Sequence, residues 1–209
     1  MRVLVACEYS GAVRDEFIKL GHDAMSCDLL PTDVPGNHYQ GDVFDIINEG
    51  WDLMVAHPPC TFISRAGARW MYQGGKINKE RLTQALEAKE FFLKLWNAPI
   101  KYICLENPTP LTILKMPKFS QAIQPYEFGH PYSKRTLLWL KNLPLLEPTK
   151  RIKNYEPFLP SNTGGKKKGQ KYSYGISKNW KESSTTFKGV AQAMAEQWSK
   201  PGLIQGKLL

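Results

Sequence analysis

Cysteine is scarce in this chain, acid is in short supply, and long apolar runs are missing. Its 209 residues hold four cysteines, Cys7, Cys27, Cys60 and Cys104. They lie too far apart for the paired spacing of a zinc site or the density of a disulfide framework, so no metal is expected. No apolar stretch approaches the roughly 20 residues that cross a bilayer. The first residues enter a strand-like segment with no signal-peptide pattern, so a cytoplasmic protein without membrane contact is expected. Asp and Glu number 19 against 28 Lys and Arg, a net charge of +9. That excess favours a polyanionic partner, because each phosphate neutralised by Lys or Arg releases counterion. A basic protein that is merely soluble has the same total, so distribution matters more. Neither an internal repeat nor a boundary between two globular units is evident, and the length suits one sizeable core.

The residues that are present alternate in a regular way. Residues 2–7 form a short apolar run that reads as a buried strand, followed by the loop Glu8-Tyr9-Ser10-Gly11. Val13, Phe17 and Leu20 then share one helical face, and Gly21 ends that helix. A second strand over 23–28 finishes on Asp28, the βαβ opening of a Rossmann-like sheet. Apolar side chains at Leu82, Ala85, Leu86, Phe92, Leu93 and Trp96 predict a helix over 80–96, and residues 100–105 predict a strand ending in Glu106-Asn107-Pro108. Beyond it, runs of strand formers at 123–128 and 135–140, joined through Gly129-His130-Pro131-Tyr132-Ser133, predict an antiparallel hairpin at the far edge. From 144 to 184 periodicity fades into prolines, glycines, lysines and tyrosines, and a helix over 190–198 closes the core.

The centre of the chain is Asp52-Leu53-Met54-Val55-Ala56-His57-Pro58-Pro59-Cys60-Thr61. Two prolines stop an apolar strand and stiffen the loop that presents Cys60. A thiol held in that way can serve as a nucleophile, or it can be a buried core cysteine. The Gly11 loop, Asp28, Asp42, Cys60 and Glu106 all fall at predicted carboxyl ends of strands, which a parallel sheet gathers on one rim. Asp28 lies at about the distance past Gly11 at which an acid binds ribose hydroxyls in dinucleotide sites. One glycine gives no pyrophosphate cradle, so a nucleoside without phosphates, S-adenosylmethionine, fits better.

Pro58-Pro59-Cys60 followed by Glu106-Asn107-Pro108 resembles the paired signature of the DNA cytosine-5 methyltransferases. Further matches follow in family order: Ser10-Gly11 to the cofactor loop, Asp28-Leu29 to the ribose and adenine contact, and Gly41-Asp42-Val43 to the Gly-Asp-Ile motif. Phe128-Gly129-His130-Pro131 is similar to the family's Tyr-Gly-Val-Pro, and Phe187-Lys188-Gly189-Val190 echoes its closing motif. The resemblance implies a mostly parallel Rossmann-like sheet with an antiparallel edge hairpin, S-adenosylmethionine as cofactor and DNA as partner. It implies Cys60 as nucleophile, Glu106 on the base, and Lys134 or Arg135, in place of Gln-x-Arg-x-Arg, as the group that orients them. The cofactor residues it implies are Glu8, Ser10, Gly11, Asp28, Leu29, Asp42, Val43 and Pro59.

Three departures stand out: Thr61 replaces the usual Gln, His57 precedes the prolines, and the target recognition region shrinks. Residues 1–145 read as a catalytic core, 146–186 as a basic, aromatic insert, and 187–209 as a returning helix. In the insert, Lys166, Lys167, Lys168, Lys171, Tyr172 and Trp180 suit phosphate contact and base stacking, as a solvated loop also would, and Arg65 and Arg69 past Cys60 could reach phosphate. Specificity is then for a short site, or comes from a partner. Methylation of a free cytidine nucleotide, and a DNA-binding protein without turnover, remain as alternatives.

Overall fold

The computed structural model describes residues 1–158 and 184–199. The chain opens with β1 (Arg2–Ala6), α1 (Ala12–Lys19) and β2 (Asp23–Asp28), then β3 (His38–Gln40), the short α2 (Val43–Ile46) and β4 (Leu53–Ala56). An excursion follows, made of a single turn α3 (Ala68–Met71) and the strands β5 (Tyr72–Gln73) and β6 (Lys76–Ile77), ahead of the long α4 (Lys79–Trp96). After β7 (Tyr102–Asn107) come β8 (Gln121–Ile123), β9 (Tyr132–Ser133), β10 (Thr136–Lys141), β11 (Glu156–Pro157) and α5 (Lys188–Trp198).

Seven of these strands form one sheet in the order β3-β2-β1-β4-β7-β10-β8. The strands from β3 to β7 are parallel, and β10 is antiparallel to both β7 and β8. The antiparallel pairing expected at the far edge is present, but the reversed strand lies one place in, and the edge strand β8 runs with the others. The strand expected over 123–128 is also shorter: β8 ends at Ile123, and Pro125–Glu127 is a 3-10 turn closed by a capping box between Gln124 and Glu127. Pro125 has no N–H to give a ladder, which ends the strand there.

Both faces of the sheet are covered, which is why its inner strands read as unbroken apolar runs. Leu4, Ala6, Met54, Ala56, Ile103 and Leu105 face Phe92 and Leu95 of α4. Val3, Val5, Leu53, Val55 and Cys104 face Val13 and Phe17 of α1 and the Val190, Met194 and Trp198 ridge of α5. In α4 the buried positions are Ala85, Phe92 and Leu95, whereas Leu86, expected on the apolar stripe, is exposed. It lies one residue, about 100°, around the helix from Ala85.

Leu146 and Phe158 are buried, and Tyr126 stacks on Tyr155 with ring centroids 4.0 Å apart. The first part of the insert therefore packs on the core.

The Phe187-Lys188-Gly189-Val190 stretch has a packing reason. A Cβ on Gly189 would lie 1.9 Å from the Phe128 carbonyl oxygen, and the Gly189 N–H donates to His130 Nε2 at 2.9 Å. Gly189→Ala should therefore cost about 2–3 kcal/mol, read as a lower thermal midpoint.

Candidate active site

Strand register brings the candidate chemistry together. Ala56 of β4 pairs with Leu105 of β7, so the next residues, His57 and Glu106, lie side by side, and Pro58 lies beside Asn107. His57 Nδ1 and Glu106 Oε2 are 3.2 Å apart, across 49 residues of sequence. Both side chains are mostly shielded, at 11% and 23% exposure. Burial opposes charge on both groups. For His57 the hydrogen bond and charge of Glu106 outweigh it and lift the imidazole above its ordinary value. For Glu106 the same partner, helped by Lys134, brings the carboxyl below its ordinary value. An ionised carboxylate can only accept, so the proton between them belongs to His57 Nδ1. His57 Nε2 is buried with no hydrogen-bond partner among the described residues.

Asn107 holds the Pro58-Pro59-Cys60 loop: its Nδ2 donates to the Pro58 carbonyl at 2.7 Å. Two consecutive prolines leave that loop short of donors, and the carbonyl bond anchors it. Cys60 is the one exposed cysteine of the four. Burial pushes the Cys27 thiol up to about 12 and the Cys7 and Cys104 thiols well upward, so all three stay neutral. Crowding by the surrounding protein, then the charge of Glu106, raise the Cys60 thiol as well, while Lys134 opposes them. A change that neutralises Glu106 therefore eases ionisation at Cys60.

Next to this loop lies an open cleft of about 170 Å³, lined by Asp28, Leu29, Asp42, Val43, Pro59 and Phe91, with Cys7 and Cys27 also in its wall. Five of the eight predicted cofactor residues meet there. Asp28 ends β2 and accepts from the Leu30 N–H at 2.9 Å, and Asp42 caps α2 by accepting from Phe44 N–H at 3.0 Å. Leu29 is 73% exposed, an apolar wall with nothing packed over it. Among the described residues the lining has two carboxylates, apolar flanks and no lysine or arginine, which suits ribose hydroxyls and a purine ring better than a phosphate. That donor set fits an adenosyl group without phosphates.

The other three lie off the cleft. Glu8, expected at the cofactor, is only 4% exposed, and its carboxylate accepts from the Val13 and Arg14 N–H groups and from Ser10 Oγ. It caps the start of α1, where orphan N–H groups and the helix dipole favour an acid. Ser10 and Gly11 build the same turn, with Gly11 as the N-cap residue.

Of the two cations left open by sequence, Lys134 is the one beside Glu106. It lines a narrow slot with Glu106, Thr136 and Phe187, and its Nζ lies 5.6 Å from the Phe158 ring and 5.8 Å from the Phe187 ring. Arg135 is exposed; it donates to Thr109 Oγ1 at 2.9 Å and lies over Phe119. Arg65 and Arg69 are exposed on the excursion after Cys60. Lys166, Lys167, Lys168, Lys171, Tyr172 and Trp180 lie outside the described residues.

Sequence reasoning missed the pairing of His57 with Glu106, the anchoring by Asn107, and Cys7 and Phe91 in the cleft. His57 carried a signal, since it stands one residue past a strand where the parallel neighbour ends in a glutamate. Phe91 carried none, because its helix comes from a distant part of the chain. Among the described residues no helix is long and apolar enough to cross a membrane, and no group of three or more His, Cys, Asp or Glu side chains could hold a metal.

No protein-family model matches the chain, and no curated protein matches it. Among solved structures, it is similar to one provisionally described as a DNA modification methyltransferase encoded within an E. coli prophage. The identity is 13% and the TM-score 0.45, over 73% of this chain and 52% of that one. The chain thus spans about half the length of that protein. A likeness this loose decides neither substrate nor residue roles.

Proposed function

We propose that the chain is an S-adenosylmethionine-dependent DNA cytosine-5 methyltransferase. The carrying observation is the position of Cys60: an exposed thiol on a rigid Pro-Pro loop, one residue past Pro59 of the Asp28 and Asp42 cleft and near enough to Glu106, the partner of His57, to feel its charge. Asp28 and Asp42 would hold ribose hydroxyls or the amino-acid tail, with Leu29, Val43 and Phe91 against the purine. When bound, the cofactor supplies an electrophilic methyl group on a sulfonium centre. Cys60 gives up its proton to water and its sulfur bonds carbon 6 of cytosine, which makes carbon 5 nucleophilic enough to take the methyl group as its bond to the sulfonium sulfur breaks and a thioether is left. Glu106 holds ring nitrogen 3, to which His57 can deliver a proton through the carboxylate. Loss of the carbon 5 proton and departure of the sulfur then restore the ring. Glu106 must meet the Watson-Crick edge, so the base has to leave the stack.

The reaction is tested with DNA containing 5-fluorocytosine, offered both as a duplex and as a single strand, in which fluorine blocks the final proton loss. A covalent protein-DNA adduct that requires S-adenosylmethionine supports the reading. An adduct on a fluorinated cytidine nucleotide alone points to the nucleotide enzyme, and no adduct on either to a binding protein. The cleft is tested separately. Asp28→Ala should weaken S-adenosylhomocysteine binding by roughly tenfold or more in calorimetry, the loss of a charged hydrogen bond, without lowering the thermal midpoint of the free protein.

A further inference from the structure

The excursion between β4 and α4 has no part in the sheet, and its residues are unusual in kind. From 53 to 79 there is no Asp or Glu, while Arg65, Arg69, Lys76 and Lys79 are all present and exposed. Trp70 is 52% exposed and Tyr72 47%, both large rings on a surface where apolar groups are costly. The Arg69 guanidinium covers the Trp70 ring at 4.8 Å, a cation already in place over a π face. Tyr72 pairs with Ile77 across the tight turn at Gly74 and Gly75, whose φ values of 56° and 77° are what a two-residue hairpin requires. Tyr72 lies on this hairpin and Trp70 on the helical turn before it, and neither ring belongs to the core clusters.

Its root is tied to the chemistry. The Ser64 N–H donates to the Cys60 carbonyl at 2.9 Å, and Arg65 N–H to the Thr109 carbonyl at 2.8 Å, in the loop that follows Glu106. An open groove of about 510 Å³ runs from Thr61, next to Cys60, past Ser64 and Arg81 to Trp70, with Glu80 the single carboxylate among the described residues of its lining. A polyanion whose reacting base sits at Cys60 would thus continue along a surface of cations and exposed rings.

We infer that residues 65–79 seat an unpaired stretch of DNA beside the target base, with Trp70 and Tyr72 stacking on bases and Arg65, Arg69 and Lys76 at phosphates. This rests on the proposed reaction for the identity of the polymer. Strandedness follows from the rings: a base within a duplex has both faces stacked on its neighbours, so an aromatic side chain can stack only where the strand is open. The rings also supply a contact that does not depend on sequence.

The test is binding, read by fluorescence anisotropy with the full chain, no cofactor, and a labelled mixed-sequence oligonucleotide as a single strand or a blunt duplex. The single strand should bind at least about five-fold more tightly, with affinity falling steeply as salt rises. Trp70→Ala and Tyr72→Ala should each cost about five-fold or more on the single strand and leave duplex binding nearly unchanged, while Trp70→Phe retains most of the affinity. Both rings are half exposed, so the variants should melt with the parent protein. Equal or tighter duplex binding overturns the inference, as does single-strand binding that survives both alanine variants. No methyl transfer is read here, so an absent 5-fluorocytosine adduct would sink the reaction and leave this result standing.

Discussion

Cys60→Ser should form no adduct with 5-fluorocytosine DNA and should lower methyl transfer by at least about 10³-fold. The size of the effect follows from the nucleophile. A serine hydroxyl ionises far less readily than a thiol, and among the described residues no side chain is hydrogen-bonded to residue 60 to take its proton. The other cysteines cannot substitute, because Cys27 and Cys104 are buried, Cys7 is half-buried against the core, and all three are held neutral. Since Cys60 is exposed, the variant should fold and melt as the parent does. Trapping with radiolabelled DNA, followed by denaturing electrophoresis, checks it. An adduct that persists in Cys60→Ser would place the nucleophile elsewhere.

The second large effect is at His57. His57→Gln should reduce turnover by about 10²–10⁴-fold, the range for a lost proton-transfer partner, while leaving S-adenosylhomocysteine binding intact. In the parent protein the proton sits on His57 Nδ1 and the charge on Glu106. Glutamine keeps a hydrogen-bond donor for Glu106 and removes the titratable proton. The alkaline limb of the parent pH-rate profile, where His57 loses its proton above its ordinary value of 6.5, should therefore be absent or displaced in the variant. The stability signs run in opposite directions for the two partners. The raised His57 contributes fully below its unfolded value of about 6.5 and loses that contribution as pH rises through its folded value. The lowered Glu106 contributes above its unfolded value of about 4.5 and loses it as pH falls through its folded value. The pair thus stabilises the fold most between those limits, and thermal melts of parent and His57→Gln should diverge most there. Parallel melting curves at every pH, together with an unchanged rate profile, would remove His57 from the reaction.

The resemblance to cytosine-5 methyltransferases gives Glu106 a role toward the base without saying where its proton comes from. In the proposed reaction the residue before the two prolines, His57, would supply one. Because the Glu106 charge adds to burial in holding the Cys60 thiol up, proton delivery toward the base at Glu106 would also favour the thiolate. The two halves of the proposed reaction are therefore coupled through one carboxylate.

Local pattern alone was enough for much of the frame. Unbroken apolar runs mark β1 and β4 because both of their faces are covered, and the 3.6-residue stripe marks α1, α4 and α5 because each buries one side. Prolines at 58 and 59 announce a rigid loop, since the ring fixes φ whatever surrounds it. Tertiary structure alone decided which polar groups meet. That β10 slots between β7 and β8, that His57 reaches Glu106, that Lys134 rather than Arg135 stands beside it, and that Glu8 caps α1 all depend on strand register and packing between distant segments. A sequence reports the environment of each residue through its immediate neighbours, whereas hydrogen bonds at a sheet edge are set by which strand lies alongside.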